Sequence, residues 1–457
     1  MVSPKSRLPR SLICVHSADH VEAFRRLPGV RVVGLADVDA SVLAREAKRF
    51  EERGEKVEAV ADVRRLLERD DVDALSIATP NHWHALQAIW ACQAGKDVYV
   101  EKPVSHNVWE GGQLVRAARK YGRIVQAGTQ ARSARGIAEA IAWLRAGNLG
   151  KIELARGLCY KPRQAIGKVT GPQAVPSGVD FDLWTGPAPK KSLLRRNLHY
   201  DWHWVFDTGD GDVGNQGVHQ MDIARWALGE DGLPRATLSA GGRLGYDDDG
   251  ETPNTQLVLH DYGPDRPRLL FEVRGLPRAA ELQADGWTAE DMDELCGARV
   301  GVVVHCEKGT MRFPDYEGAV AFDRAGKELA RFAGSEDHFA NFAEVVRSRR
   351  VEDLAADVRE GHVSSALCHL GNVAHRLGRA VSPAEARAEL EREPAAAEAL
   401  ERMLVHLEQN GVDLGAAPLT LGAAPPFDPA GERFADETAQ RLAQGAYRVP
   451  FAVPADP

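Results

Sequence analysis

Short apolar runs alternate with helix-period segments through the first part of the chain. Leu12–Val15, Val30–Ala36, Val72–Ala78 and Val98–Val100 read as buried strands, each closed by polar or turn-forming positions. Between them, Ala18–Leu27, Val42–Arg53 and Trp83–Ala94 carry apolar residues at helical spacing, and Leu66 and Leu67 belong to a further helix. Strand and helix in alternation predict a parallel, doubly wound α/β sheet, with its ligand beyond the strand carboxyl ends. From Gln126-Ala127-Gly128-Thr129 onward the texture changes. Ile152–Cys159, Leu257–Leu259, Leu269–Val273 and Val300–His305 lack regular intervening helices and predict a mostly antiparallel sheet in an α+β domain. Lys161–Asp201, rich in Pro, Gly and Lys, reads as a long loop over a ligand cleft. Ala384–Gln409 is helix-prone and broken at Pro394, and Leu414–Pro457 reads as an ordered strap.

Composition narrows the function. A chain of 457 residues exceeds one typical core, and 44% hydrophobic with 27% charged residues is ordinary for a globular protein. Lys plus Arg number 57 against 66 Asp plus Glu, and the net charge of -9 opposes a broad phosphate-binding surface, so no nucleic-acid partner is expected. Six cysteines, Cys14, Cys92, Cys159, Cys296, Cys306 and Cys368, show no C-x-x-C pair and read as reduced thiols. The basic start with Lys5, Arg7 and Arg10 precedes an apolar run too short for a signal peptide, and nothing approaches the ~20 apolar residues of a membrane span. A cytoplasmic location without a membrane partner is the expectation.

Chemistry concentrates at the strand ends. Asp37 closes the second strand, where a carboxylate can bind ribose hydroxyls and repel a 2′-phosphate, so NAD is favoured over NADP. Thr79, Asn81 and His84 follow the third strand, and Glu101 and Lys102 follow the fourth, where a partly desolvated lysine can exchange protons. Further on, His199, Tyr200, Asp201, Trp202, His203 and Trp204 form one dense cluster, and Asn215, His219 and Asp222 form another. A helix over Gly217–Leu228 makes His219 and Asp222 i,i+3 neighbours, so that the carboxylate can orient the imidazole. His199, His203 and His219 could in principle meet at a metal, but the aromatic flanks suit sugar hydroxyls better and no metal is expected.

Three motifs, Thr79-Pro80-Asn81-His82-Trp83-His84, Glu101-Lys102-Pro103 and Gly214-Asn215-Gln216-Gly217-Val218-His219-Gln220-Met221-Asp222, together resemble the Gfo/Idh/MocA oxidoreductases. Trp184-Thr185-Gly186-Pro187, His338-Phe339-Ala340-Asn341-Phe342, Phe427-Asp428-Pro429 and Tyr447-Arg448-Val449-Pro450 extend the likeness to a long bacterial subgroup with a C-terminal extension. The resemblance implies a Rossmann-like dinucleotide-binding domain over 1–127 with a degenerate phosphate loop, and an α+β substrate and oligomerisation domain with a large open sheet over 128–385. It further implies an extension packed on the body over 386–457, and a homo-oligomer, dimer or tetramer. Lys102 and His219 match the family's catalytic lysine and histidine, and Asn215 stands where many members carry aspartate. Cofactor contacts are expected from Ser17, Asp37, Thr79, Asn81, His84, Glu101 and Lys102. Tyr160, Lys161, Arg163, His199, Tyr200, Trp202, His203 and Asp222 are expected at the carbohydrate substrate. The implied activity is NAD-dependent oxidation of a sugar, polyol or sugar-acid hydroxyl. Two alternatives stand beside it: a glycoside hydrolase working by NAD-dependent oxidation, elimination and hydration, and a redox-inactive sugar-binding or hydrolytic protein.

The Gly-rich first turn of the family is replaced by Val15-His16-Ser17-Ala18-Asp19. Side chains there crowd the pyrophosphate, and Asp19 repels it. The chain is therefore expected to purify largely without nucleotide and to bind NAD weakly. Restoring glycines across residues 15–19 should tighten binding at least about tenfold, about 1.4 kcal/mol, by titration calorimetry. Tight, stoichiometric NAD in the unaltered chain would contradict this.

Overall fold

The computed structural model describes the backbone of residues 12–15 and all of residues 17–284 and 286–457. Six strands, β1 (Leu12–Val15), β2 (Val32–Ala36), β3 (Glu58–Val60), β4 (Ala74–Ile77), β5 (Asp97–Val100) and β6 (Val125–Ala127), form a parallel sheet in the order β3-β2-β1-β4-β5-β6. Every residue of β4 and β5 is buried, as both faces are covered. The covering helices are α1 (Ala18–Arg25), α2 (Ala40–Glu52), α3 (Arg64–Leu67), α4 (Asn81–Gln93) and α5 (Val108–Lys120). Side chains of Ser17, Asp39 and Asn107 accept backbone N–H groups at the starts of α1, α2 and α5. Leu75, Ile77, Ile89 and Val98 build one core layer, and Phe24, Tyr99 and Phe342 the other. Strand order reverses at β1, between β2 and β4, which opens a crevice at the carboxyl ends.

A second, ten-stranded sheet follows the predicted antiparallel pattern. Its strands are β7 (Ile152–Tyr160), β8 (Ala236–Gly242), β9 (Thr255–Asp261), β10 (Arg268–Arg274), β11 (Val300–Cys306), β12 (Gly309–Phe313), β13 (Gly318–Asp323), β14 (Glu328–Ala333), β15 (Arg379–Val381) and β16 (Leu419–Ala423). Their order is β14-β13-β12-β11-β7-β10-β9-β8-β16-β15, with β7 and β10 running parallel and the other neighbours antiparallel. The next helices are α6 (Arg135–Arg145), α7 (Phe181–Thr185), α8 (Gly211–Asn215), α9 (Gly217–Leu228), α10 (His338–Ser348) and α11 (Val358–Arg376). Residues of α6, α9 and α11 share one core with the inner face of the sheet. The helix break at Pro394 appears as α12 (Pro383–Leu390) and α13 (Pro394–Gln409), which pack on the opposite face over β8, β9 and β10.

The chain crosses the expected domain limits. Phe339 and Phe342 of α10 return to pack on Phe24 of α1 and Tyr99 of β5. The C-terminal segment is more than a strap, because β16 is inserted between β8 and β15. Its remainder, with α14 (Glu437–Gln444), runs back over the first domain, where Arg448 pairs with Asp182 and Phe451 packs on Trp83. Cys92, Cys159, Cys306 and Cys368 are buried free thiols and Cys296 is partly buried; the Cys14 side chain and His16 lie outside the described residues. Among the described residues, no helix is long and apolar enough to cross a membrane.

One buried ionic cluster ties α9 to its neighbours. Arg132 grips Asp222 through Nε and Nη2 at 2.8–3.0 Å and reaches Glu360 at 2.9 Å, while Ser364 Oγ donates to Asp222 at 2.6 Å. Asp222 is fully buried in this cluster, so it anchors a helix and does not orient His219 or face a substrate. Replacing Arg132 by Met leaves that carboxylate without its main partner, so a loss of about 3–5 kcal/mol is expected in denaturant unfolding. A loss below about 1 kcal/mol would show that water or Arg225 compensates.

Candidate active site

The strand end of β5 presents Glu101, Lys102 and Pro103. Glu101 accepts from Gln130 at 3.1 Å and from the backbone N–H of Lys102 at 3.2 Å, and it lies 3.3 Å from His20 Nε2. Burial pushes the Glu101 carboxyl up, but the contact with His20 and the charge of Lys102 outweigh it and hold it at about 2. Gly128 lies against it, and a Cβ there would sit 2.6 Å from Glu101 Oε1 and displace the carboxylate. Lys102 Nζ reaches across to the second domain and donates to the backbone carbonyl of Asn215 at 2.9 Å. Burial lowers the lysine's pKa from its ordinary value, opposed by Glu101.

Asn215 ends α8 and Gly217 opens α9, where a Cβ would meet the Phe271 ring at 2.4 Å. This close approach seats the first turn of α9, and with it His219, on the sheet. His219 is buried, and desolvation followed by the charge of Lys102 pushes its pKa down to about 3, so the imidazole is neutral at physiological pH. Its Nδ1 has no hydrogen-bond partner among the described residues, and its ring lies 5.0 Å from that of Tyr316. Gln216 and Gln220 both donate to the Tyr316 hydroxyl, and Lys161 donates to Gln216 Oε1 at 2.9 Å. The cluster around the lysine and histidine thus includes Tyr316, Gln216 and His20, which sequence reasoning did not single out. Gln216 lay inside a quoted motif; Tyr316, in the turn after β12, and His20, on α1, carried no local signal.

A cleft with about 890 Å³ of free space runs along the ends of β2, β3 and β4 and includes Asp37 and Thr79. Asp37 accepts from the backbone N–H of Asp39 at 2.8 Å. Among the described residues, Thr79 Oγ1 and, at the start of α4, Asn81 Oδ1 are buried without partners, as expected of groups awaiting a polar ligand. His84 is held between the carbonyls of Thr79 at 2.7 Å and Pro103 at 2.6 Å, so it braces the ends of β4 and β5 and is not itself in the cleft lining. Ser17 caps α1 by accepting from the backbone N–H of His20 at 3.3 Å. The carboxylate at β2 and the two orphaned polar atoms fit a dinucleotide: Asp37 would meet the adenosine ribose, while Thr79 and Asn81 would meet the polar groups beyond it.

The long loop does not deliver its aromatic residues where they were expected. It is tied to the β2–α2 corner by the N–H of Ala40 to the Gly178 carbonyl at 3.0 Å and of Asp180 to the Val38 carbonyl at 2.9 Å. His199 then lies 2.9 Å from Asp39, and His199, Trp202 and His203 roof the cleft that contains Asp37. His203 stacks on Trp202 at 3.6 Å, and burial pushes its pKa down to about 4. Arg163 forms a bidentate pair with Asp212 at 2.8–3.1 Å and donates to the hydroxyl of the exposed Tyr200 at 3.1 Å. Tyr160 is a correction: its hydroxyl donates to Glu272 at 2.7 Å and accepts from Arg402 at 2.9 Å, buried under α13 on the far face of the sheet. Among the described residues, no group of three or more His, Cys, Asp or Glu is arranged to hold a metal, and His199 and His203 have partners other than His219.

A Rossmann sheet is joined to a large mixed sheet, with Lys102 at a strand end held beside the helix of His219, which is the two-domain architecture of an oxidoreductase with an NAD-binding Rossmann fold. The chain belongs to the Gfo/Idh/MocA oxidoreductase family. Residues 14–129 match the family's NAD-binding Rossmann fold, and residues 150–241 match its C-terminal alpha/beta domain. It is similar to glycosyl hydrolase family 109 protein 1 of Shewanella sp. (strain ANA-3), 34% identical over 128 residues, 26% of this chain and 28% of the relative. Protein 2 of the same strain is 40% identical over 103 residues, 21% of this chain and 23% of the relative. The matched segments thus span less than a third of these relatives. Among solved structures, the fold is similar to the WlbA dehydrogenase of Bordetella pertussis in complex with NADH and UDP-GlcNAcA, with TM-score 0.54, 19% identity and coverage of 78% and 93% of the two chains. A Thermotoga maritima oxidoreductase gives TM-score 0.57 at 15% identity, with 79% and 97% covered.

Two outcomes are expected from this geometry. Asp37→Ala should narrow the preference for NAD over NADP by removing repulsion of the 2′-phosphate; equal affinity of the unaltered chain for both would contradict the assignment. The second concerns acid. His82, His219 and His260 are each pushed down to about 3 by burial, whereas an unfolded chain protonates histidine near ~6.5. Their depressed values favour the fold above pH ~6.5, and this stability is lost as pH falls from there towards 3. The melting temperature should decline already between pH ~6.5 and ~4.5, above the range where carboxylates titrate, and a flat profile there would refute it.

Proposed function

We propose that this protein cleaves glycosides by transient oxidation, with Lys102 and His219 handling the protons. The observation that carries the reading is the state of the carboxylates beside these two residues. Glu101 is held by His20 and Gln130, Asp212 by Arg163, and Asp222 by Arg132. None is left as one of the paired carboxylates that an ordinary glycosidase needs. The acid/base work therefore falls to a desolvated lysine and a neutral imidazole. The segmental likeness to glycosyl hydrolase family 109 proteins supports the same direction.

Nicotinamide, when bound, supplies removal of hydride from C3 of the sugar and its later return. The neutral His219 accepts the C3 hydroxyl proton, and Lys102 donates a hydrogen bond to the oxygen as it becomes a carbonyl. A carbonyl at C3 acidifies C2–H; the proton lost there is taken up by the oxygen of the substituent that leaves C1 as an alcohol. Water then adds across C1–C2 with its hydroxyl on C1 and its proton on C2, and hydride and the hydroxyl proton return to C3 and its oxygen. Asn215 positions Lys102 through its backbone carbonyl. Net oxidation of a sugar, polyol or sugar-acid hydroxyl is the second reading, favoured by the family's oxidoreductase descriptions. Release of aglycone from an aryl glycoside by cofactor-loaded protein, with no further NAD added, separates the two.

Lys102→Ala is expected to lower turnover by ~10²–10⁴-fold with unchanged melting. His219→Ala should cost more than Asn215→Ala, because alanine at 215 keeps the carbonyl that holds the lysine. Near-normal turnover of folded Lys102→Ala protein would sink the assignment, and a greater loss at Asn215 would reverse the division of roles.

A further inference from the structure

A second cleft, with about 1040 Å³ of free space, lies behind the segment that carries Lys102. Its walls come from the start of α5, from α11, from the residues leading into α8 and from the C-terminal segment around Tyr447. Neither Lys102 nor His219 nor Asp37 lines it. Two acceptors in its wall are nine-tenths or more buried and lack a donor among the described residues: Asp210 Oδ2, on a residue 4% exposed, and Asn372 Oδ1, on a residue 6% exposed. Asn372 Nδ2 donates to the Asp210 carbonyl at 3.1 Å, which fixes both residues together. Nδ1 of His369 lies 3.3 Å from the other Asp210 carboxylate oxygen, leaving Oδ2 unmatched. Arg376 also lines the cleft; its guanidinium stacks over Phe206 at 4.9 Å and feels the charges of Asp207, Glu251 and Asp210, but no acceptor among the described residues lies within hydrogen-bond or ion-pair distance of it.

These groups select a ligand class. Orphaned buried acceptors are costly until a donor reaches them, and an unpaired guanidinium asks for acceptors. An anion alone would meet Asp207, Asp210 and Glu110, and among the described residues no three ligands converge for a metal. An apolar molecule would leave the acceptors unmatched. Hydroxyl groups serve both ends at once, donating to Asp210 and Asn372 and accepting from Arg376, while Phe206 and Tyr447 add apolar surface to the lining. We propose that this cleft is a second binding site for a neutral, polyhydroxylated ligand of monosaccharide size, separate from the site of Lys102 and His219. The occupant would touch both supports of the catalytic lysine. His369 is 3.2 Å from Ser105, three residues past Lys102, and Asp210 leads into α8, whose Asn215 carbonyl accepts from Lys102.

The test is saturation-transfer NMR titration of the full-length protein with D-glucose, in parallel with Asn372→Leu, Arg376→Gln and Lys102→Ala variants whose melting is recorded. Glucose binding should weaken at least about tenfold in Asn372→Leu and in Arg376→Gln and persist in Lys102→Ala. Arg376→Gln keeps the test decisive should Asn372→Leu fail to fold. Loss only in Lys102→Ala would place the sugar in the catalytic cleft, and absence of saturable binding would mean that water alone fills the second one; either result overturns the proposal.

Discussion

The contact of Lys102 Nζ with the carbonyl of Asn215 joins residues from two domains across 113 positions of chain. One partner stands at the end of a fully buried strand of the parallel sheet, the other at the end of the short α8, immediately before the helix of His219. Neither domain could form the site alone. Much of the surrounding structure keeps those two ends in register: His84 braces β4 against β5, Gly217 lets α9 close on Phe271, and Arg132, Asp222 and Glu360 lock α9 to its neighbours.

Burial sets the chemistry. Withdrawing His219 from water keeps it neutral, and withdrawing Lys102 lowers the cost of releasing its proton. Glu101 behaves differently in the same surroundings, because His20 and Lys102 compensate its charge and hold it ionised. In the proposed reaction His219 is the base and Lys102 the acid, with Glu101 a fixed negative charge beside them. This set needs no catalytic carboxylate pair, and the proposed oxidative route to glycoside cleavage rests on that.

Much of the architecture was legible in the sequence. The α9 limits were marked by Gly217 and by Gly229, which takes the left-handed conformation at the helix end, and Pro394 split the acidic helix as expected. The strand-end residues followed from alternation of strand and helix. What escaped was set by tertiary routing. Tyr160 alternates with Cys159 along β7, and its parity sends it to the face opposite α9. His199, Trp202 and His203 sit where the backbone ties at Val38 and Ala40 carry their loop, which is over Asp37. Asp222 was read as the partner of His219 on helical spacing, but Arg132, 90 residues away in sequence, claimed it. Tyr316 comes from a turn more than 90 residues past its glutamine partners, and nothing local announces it.

The central claim is that Lys102 and His219 serve a reaction in which C2–H of the sugar is removed and restored. Cleavage of an aryl glycoside in deuterium oxide, followed by mass spectrometry and proton NMR of the released sugar, tests this most directly. Deuterium at C2, absent from unreacted glycoside, is the result predicted by elimination and hydration. A released sugar with its original hydrogen at C2 would mean direct displacement at C1 and would contradict the account.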